Sequence, residues 1–262
     1  MLKRVELIRL LKRWELYVAL AIGFAMIILQ AVTIYPDNAN FINNAYLHLT
    51  GFDGTGIGSN LYYMVLPIMS SLAASSIYSE DKHGKVLNFV LMRTTSRQYM
   101  HTTLTTGFVT GGLVGALPLL LEGSYFFTRY STAKLPVSQD LMLIDKAGWG
   151  YHWFMQSPMS YWLFSILITF AFSGLFSLIG IVSSFYIKKK TIEMAVPFIF
   201  TMVTFFVANF SGWDPISIPY ILPPTFSNDY KNGQYYLLFW FVVGMVIVFV
   251  ATFYKERQDG LD

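Results

Sequence analysis

The side chains able to do chemistry in this chain are few, and most stand where they cannot cooperate. The four histidines, His48, His83, His101 and His152, lie far apart, and no two have metal-ligand spacing. No H-E-x-x-H or G-x-S-x-G occurs, and the absence of cysteine removes disulfides, thiolate metal sites and Cys nucleophiles together. His83-Gly84-Lys85 is followed by Val86, and no glycine stands five residues before Gly84, so there is no phosphate-binding loop. Neither a metal site nor an ATPase is expected within the chain. Among the acids, Glu15 and Glu193 fall at helix ends, where a carboxylate snorkels easily into water. Glu122 falls near the far end of an apolar run, and two readings stand for it. One is an interfacial or salt-bridged group paired with Arg129; the other is a contact on a substrate pathway.

The densest ionisable stretch in the middle of the chain is Ser79 to Tyr99, SEDKHGKVLNFVLMRTTSRQY. Glu80 and Asp81 open it, Gly84 follows, and Val86, Leu87, Val90 and Leu91 then fall on one face of a short helix. Lys85, Asn88 and Arg93 point elsewhere. Acids before that helix and Arg93 and Arg97 after it match the helix dipole. The pattern predicts a small amphipathic helix offering an apolar face to a membrane surface or to another protein. The alternative is a charged loop that only sets topology.

The elements around this stretch are apolar. Of 262 residues, 55% are hydrophobic and only 13% charged, outside the range of soluble domains. The charges also cluster, leaving six intervals near the roughly 20 residues that cross a hydrocarbon core about 30 Å thick. They predict an all-α polytopic membrane protein with helices at about 14–35, 60–79, 100–121, 159–187, 192–211 and 234–254. Continuous apolar runs, without alternation, argue against a β-barrel. Placing both termini in the cytoplasm puts 14 of the 18 basic residues inside, as the positive-inside rule requires. The first apolar run is longer than a signal-peptide core, so an uncleaved first helix is expected.

Residues 2–13 read as an interfacial amphipathic helix or a disordered basic anchor. The segment 212–233, with prolines at 215, 219, 223 and 224 among apolar residues, reads as re-entrant or interfacial. Gly107, Gly111 and Gly115 form two overlapping GxxxG steps, and Ser173, Ser177 and Gly180 make a comparable stripe; both suit close helix packing. No internal repeat or pair of matched broken helices favours a secondary carrier. The outer loops are too short for a separate domain, so residues 1–262 form one transmembrane domain.

In its order of acidic pair, Gly84, short apolar helix and Ser96-Arg97 before the third span, the chain resembles the permeases of ABC-2 type transporters. Thr94 stands where that family often has proline. The six-helix layout, basic N-terminal arm and proline-rich loop before the last span are similar too. The resemblance implies that Glu80 to Arg97 is a coupling helix seated in a separate ATP-binding subunit, present in two copies and holding the ATP and Mg. It also implies a second permease chain, identical or different, and an exporter in the plasma membrane of a bacterium. No cofactor is expected in the chain itself. Membrane lipids are expected partners, and nucleic acid is not, because the net charge of +3 reflects topology. Apolar, aromatic walls suit an amphipathic or hydrophobic cargo such as a peptide toxin or bacteriocin, a lipid-linked molecule or a drug. A secondary transporter or channel, and a membrane sensor or immunity protein, are the rival readings.

Overall fold

The computed structural model describes residues 8–10, 12–34, 44–52, 56–75, 77–83, 90, 92, 94–132, 148–187, 189–224 and 231–259. Among them the chain is helical, with α1 (Trp14–Thr33), α2 (Ile57–Ala74), α3 (Ile77–His83), α4 (Ser96–Arg129), α5 (Tyr151–Gln156), α6 (Pro158–Tyr186), α7 (Lys190–Ser211), α8 (Ile218–Ile221) and α9 (Gly233–Asp259). The described residues contain no strand, only an isolated bridge between Asn44 and Ser131. Five helices, α1, α4, α6, α7 and α9, are long and apolar enough to cross a membrane, and the fold is that of an all-helical, multi-pass membrane protein.

The sixth expected span takes a different form. Its residues fold as α2, which ends at Ala74, and α3, which begins at Ile77, and α2 is too polar to rank with the other five. Ser59, Asn60, Tyr62, Tyr63, Ser70 and Ser71 supply that polarity, and all but Asn60 are buried. The cause is position. α2 packs against α1, α4, α6 and α7, so its buried polar groups meet protein, where each can be satisfied. Ser59 N–H donates to Gln30 Oε1 at 2.6 Å, Tyr62 O–H to the Gly115 carbonyl at 2.5 Å, and Ser71 O–H to the Met194 carbonyl at 2.7 Å.

α6 is the other central helix, 78% buried over its most apolar window against 17% for α9. In lipid no hydrophobic gain draws helices together, so close packing and interhelical hydrogen bonds must do it. The α4–α6 crossing supplies both. A side chain on Gly111 would run into Ser177 and one on Gly115 into Ser173, so the glycines are what permits the approach. Ser173 O–H then donates to the Gly111 carbonyl at 2.6 Å and Ser177 O–H to the Gly107 carbonyl at 3.0 Å, while Ser173 and Ser70 hydroxyls share a bond of 2.6 Å. Gly180 lies against Ser71 and Ser75 of the α2 segment.

The sequence boundaries move most at α4. Its N-cap is Thr95, whose hydroxyl accepts from Gln98 N–H, and the helix runs 34 residues to Arg129 rather than ending at 121. At 1.5 Å per residue it is about 51 Å long, more than a hydrocarbon core needs, so it projects beyond the apolar layer. The proline-rich segment lies on the bundle through a 3-10 turn at Asp214–Ile216 and through α8, with Pro215, Ile218, Pro219 and Ile221 buried.

Candidate functional site

The ionisable residues gather at one end of the bundle, where α1, α4 and α7 begin and α3 ends. Asp81, on α3, is 1% exposed and accepts from Arg9 Nη2 at 2.5 Å, from Arg9 Nη1 at 3.2 Å and from Tyr99 O–H at 2.6 Å. A carboxylate that deep is tolerable only when so surrounded. Its neighbour in the chain, Glu80, joins a closed ring. Arg13 pairs with Glu80 and lies 3.8 Å from Glu15, and Lys190 Nζ reaches Glu15 at 2.7 Å and Glu80 at 2.6 Å. Each cation sits between two carboxylates. Three acids thus meet three bases, and the set ties the N-terminal arm and α1 to the starts of α4 and α7 through α3.

This geometry gives the acidic pair partners within the chain. Glu80 and Asp81 are read from the sequence as part of the coupling segment; Asp81 faces inward, and both bind elements of their own chain. They also belong to α3, which begins at Ile77, after α2 has ended. What they hold is the root of the following segment. Gly84, Lys85, Val86, Leu87, Leu91 and Arg93 lie outside the described residues. Val90 is helical and partly buried against the core, and its carbonyl accepts from Thr94 N–H at 3.0 Å and Thr94 O–H at 2.8 Å. Thr94 therefore satisfies a terminal helix carbonyl with its hydroxyl, a bond proline could not make. Ser96 and Arg97 form the first turn of α4, and Arg97 is exposed.

Glu122 belongs to the opposite end, and here the salt-bridge reading is corrected. Its carboxylate is 5% exposed and accepts from Thr50 N–H at 3.1 Å and from Thr50 O–H at 2.6 Å. Arg129 turns away, donating to Tyr125 O–H at 2.8 Å and lying over its ring. The extension of α4 past 121 explains the difference: Glu122 is inside a helix and covered by residues 44–52. That cover is held by Ala45 N–H donating to the Ser131 carbonyl at 2.9 Å, by His48 stacked on Tyr130, and by Tyr46 and Phe52 against Phe154. Gly51 closes its turn at φ +88°, a conformation that favours glycine, and a side chain there would meet Tyr63 and Pro224. Glu122 thus serves as the anchor of a cap.

Sequence reasoning missed the partners rather than the acids: Arg9, Arg13, Lys190, Tyr99 and Thr50 were counted as topology or passed over. The few acids standing among the basic residues at these helix ends, Glu15 beside Arg13 and the Glu80–Asp81 pair before Lys82, were the available clue. Among the described residues no cluster of three metal-ligating side chains occurs. In comparison with known proteins, no family model, no curated protein and no solved structure matches the chain.

Proposed function

We propose that this chain is the membrane-spanning subunit of an ABC-2 type exporter and that residues 84–95 form the docking segment for a separate ATPase. The observation that carries the reading is the charge cluster. It fixes the root of that segment, through Asp81 and Glu80, to the starts of three helices. A displacement applied to the segment is therefore delivered to α1, α4 and α7 together, which is what a helix driven by an external engine needs. Docking itself falls to the apolar residues Val86, Leu87 and Leu91, since the acids are occupied within the chain.

In this reading α2 and α3 make the sixth crossing, shielded from lipid by their neighbours, and both termini lie in the cytoplasm with the charge cluster. Two such chains around a two-fold axis, each with one ATPase, enclose the pathway for an amphipathic or hydrophobic cargo. Co-expression with a candidate P-loop ATPase, sought among the genes beside this one, tests the assignment. The two should co-purify, and Leu87→Asp or Leu91→Asp should abolish the complex while membrane insertion persists. Retention of the complex and of normal ATP hydrolysis by those variants would sink the docking assignment.

A further inference from the structure

Along the outer side of the bundle, α9 packs on α6, with Gly244 against Leu175 and Phe241 against Phe172, but stands off from α4 and leaves a groove of about 670 Å³. That volume lies within the roughly 300–1,000 Å³ of small-molecule sites. Its walls are apolar, formed by Leu104, Phe108, Leu178, Phe241, Val248 and Phe249. Charge appears only toward one end, which Arg97 and His101 of α4 and Glu256 near the end of α9 line. From Glu256 to Phe241 is 15 residues, or about 22 Å of helix. One leaflet's share of the hydrocarbon is about 15 Å, so the groove is as long as a leaflet plus its headgroup layer. A polar recess of about 520 Å³, lined by Thr94, Thr95, Gln98 and Thr102, shares Arg97 and His101 and adjoins the groove's mouth.

We infer that this groove holds one glycerophospholipid carrying a primary ammonium headgroup. One of its two acyl chains lies along Phe108, Leu178 and Val248, the phosphate faces Arg97 and His101, and the ammonium faces Glu256. Charge complementarity selects this occupant. A purely anionic lipid would satisfy Arg97 and be repelled by Glu256, whereas a phosphate and an ammonium on one headgroup match both signs. Hydrogen bonding adds to the choice, because a primary ammonium can donate to the Glu256 carboxylate and a quaternary one cannot. On the orientation proposed above, the lipid belongs to the cytoplasmic leaflet; the site itself requires only this chain.

The test uses the full chain alone, delipidated in detergent and supplied singly with phosphatidylethanolamine, phosphatidylglycerol or phosphatidylcholine, with bound lipid counted by native mass spectrometry. One phosphatidylethanolamine per chain should persist, in preference to the other two. Arg97→Ala should weaken its retention on the order of tenfold, as expected for losing a charge-assisted phosphate bond. Glu256→Gln should erase the preference over phosphatidylglycerol, and Met245→Trp, on an exposed groove wall, should block occupancy. Circular dichroism confirms that each variant keeps its helices. Equal retention of all three lipids by the wild type, or undiminished binding by Met245→Trp, overturns the inference. Because no ATPase is present, either result leaves the docking assignment untouched.

Discussion

Asp81→Asn perturbs the point on which the charged end converges. The substitution keeps the shape and one carbonyl oxygen but removes the charge that binds both Arg9 and Tyr99. The two losses differ in size. Arg9's side chain is 39% exposed, so water recovers most of its solvation, and its pair with Asp81 should be worth about 0.5–1 kcal/mol. Tyr99 is 1% exposed, and a hydrogen bond from a buried hydroxyl to a charged acceptor contributes about 1.5–3 kcal/mol. The variant should therefore lose about 2–4 kcal/mol, with most of the coupling toward the tyrosine. Denaturant unfolding in detergent, followed by circular dichroism, gives the values through two double-mutant cycles, Asp81→Asn with Tyr99→Phe and Asp81→Asn with Arg9→Ala. A larger coupling to Arg9 than to Tyr99, or a total below about 0.5 kcal/mol, would refute the reasoning that burial makes Asp81 the keystone.

Other consequences follow from the packing and the cap. Gly111→Ala should destabilise the α4–α6 crossing by about 1–3 kcal/mol, and Ser177→Gly should restore much of the loss, read as the unfolding midpoint of the single and double variants. Glu122→Gln should leave transport and stability near wild type, since the amide oxygen still accepts from Thr50, whereas Glu122→Ala should loosen residues 44–52. The chain has no cysteine, so a single cysteine at His48 makes that loosening measurable as faster maleimide labelling. The same background tests topology: a cysteine at Arg257 should react only with cytoplasmic reagent and one at Thr132 only with external reagent, and the reverse pattern would invert the proposed orientation.

The all-helical fold was legible because uncharged runs of membrane length leave few other structures. The α2 segment shows where that reasoning stops. Ser59, Tyr62, Ser70 and Ser71 lower its apolarity, and only the surrounding helices reveal that those groups are buried within the protein. The glycine and serine stripes were legible as residue types, and the structure adds which atoms they bring together. Glu122 failed because its partner, Thr50, is 72 residues away in a segment without periodicity. The charge cluster was hidden for the opposite reason. Arg9, Arg13 and Lys190 already had an explanation in the positive-inside count, which is indifferent to pairing across 175 residues such as Glu15 with Lys190.

The central proposal, that the segment rooted at Asp81 docks on an ATPase, is met most directly by replacing Leu87 with a photoreactive phenylalanine analogue in cells co-expressing the candidate P-loop ATPase. Irradiation should join the chain to that protein, and the crosslink should vanish when Leu91→Asp is added. Crosslinking confined to lipid or to the chain itself, with the P-loop protein present, would contradict the account.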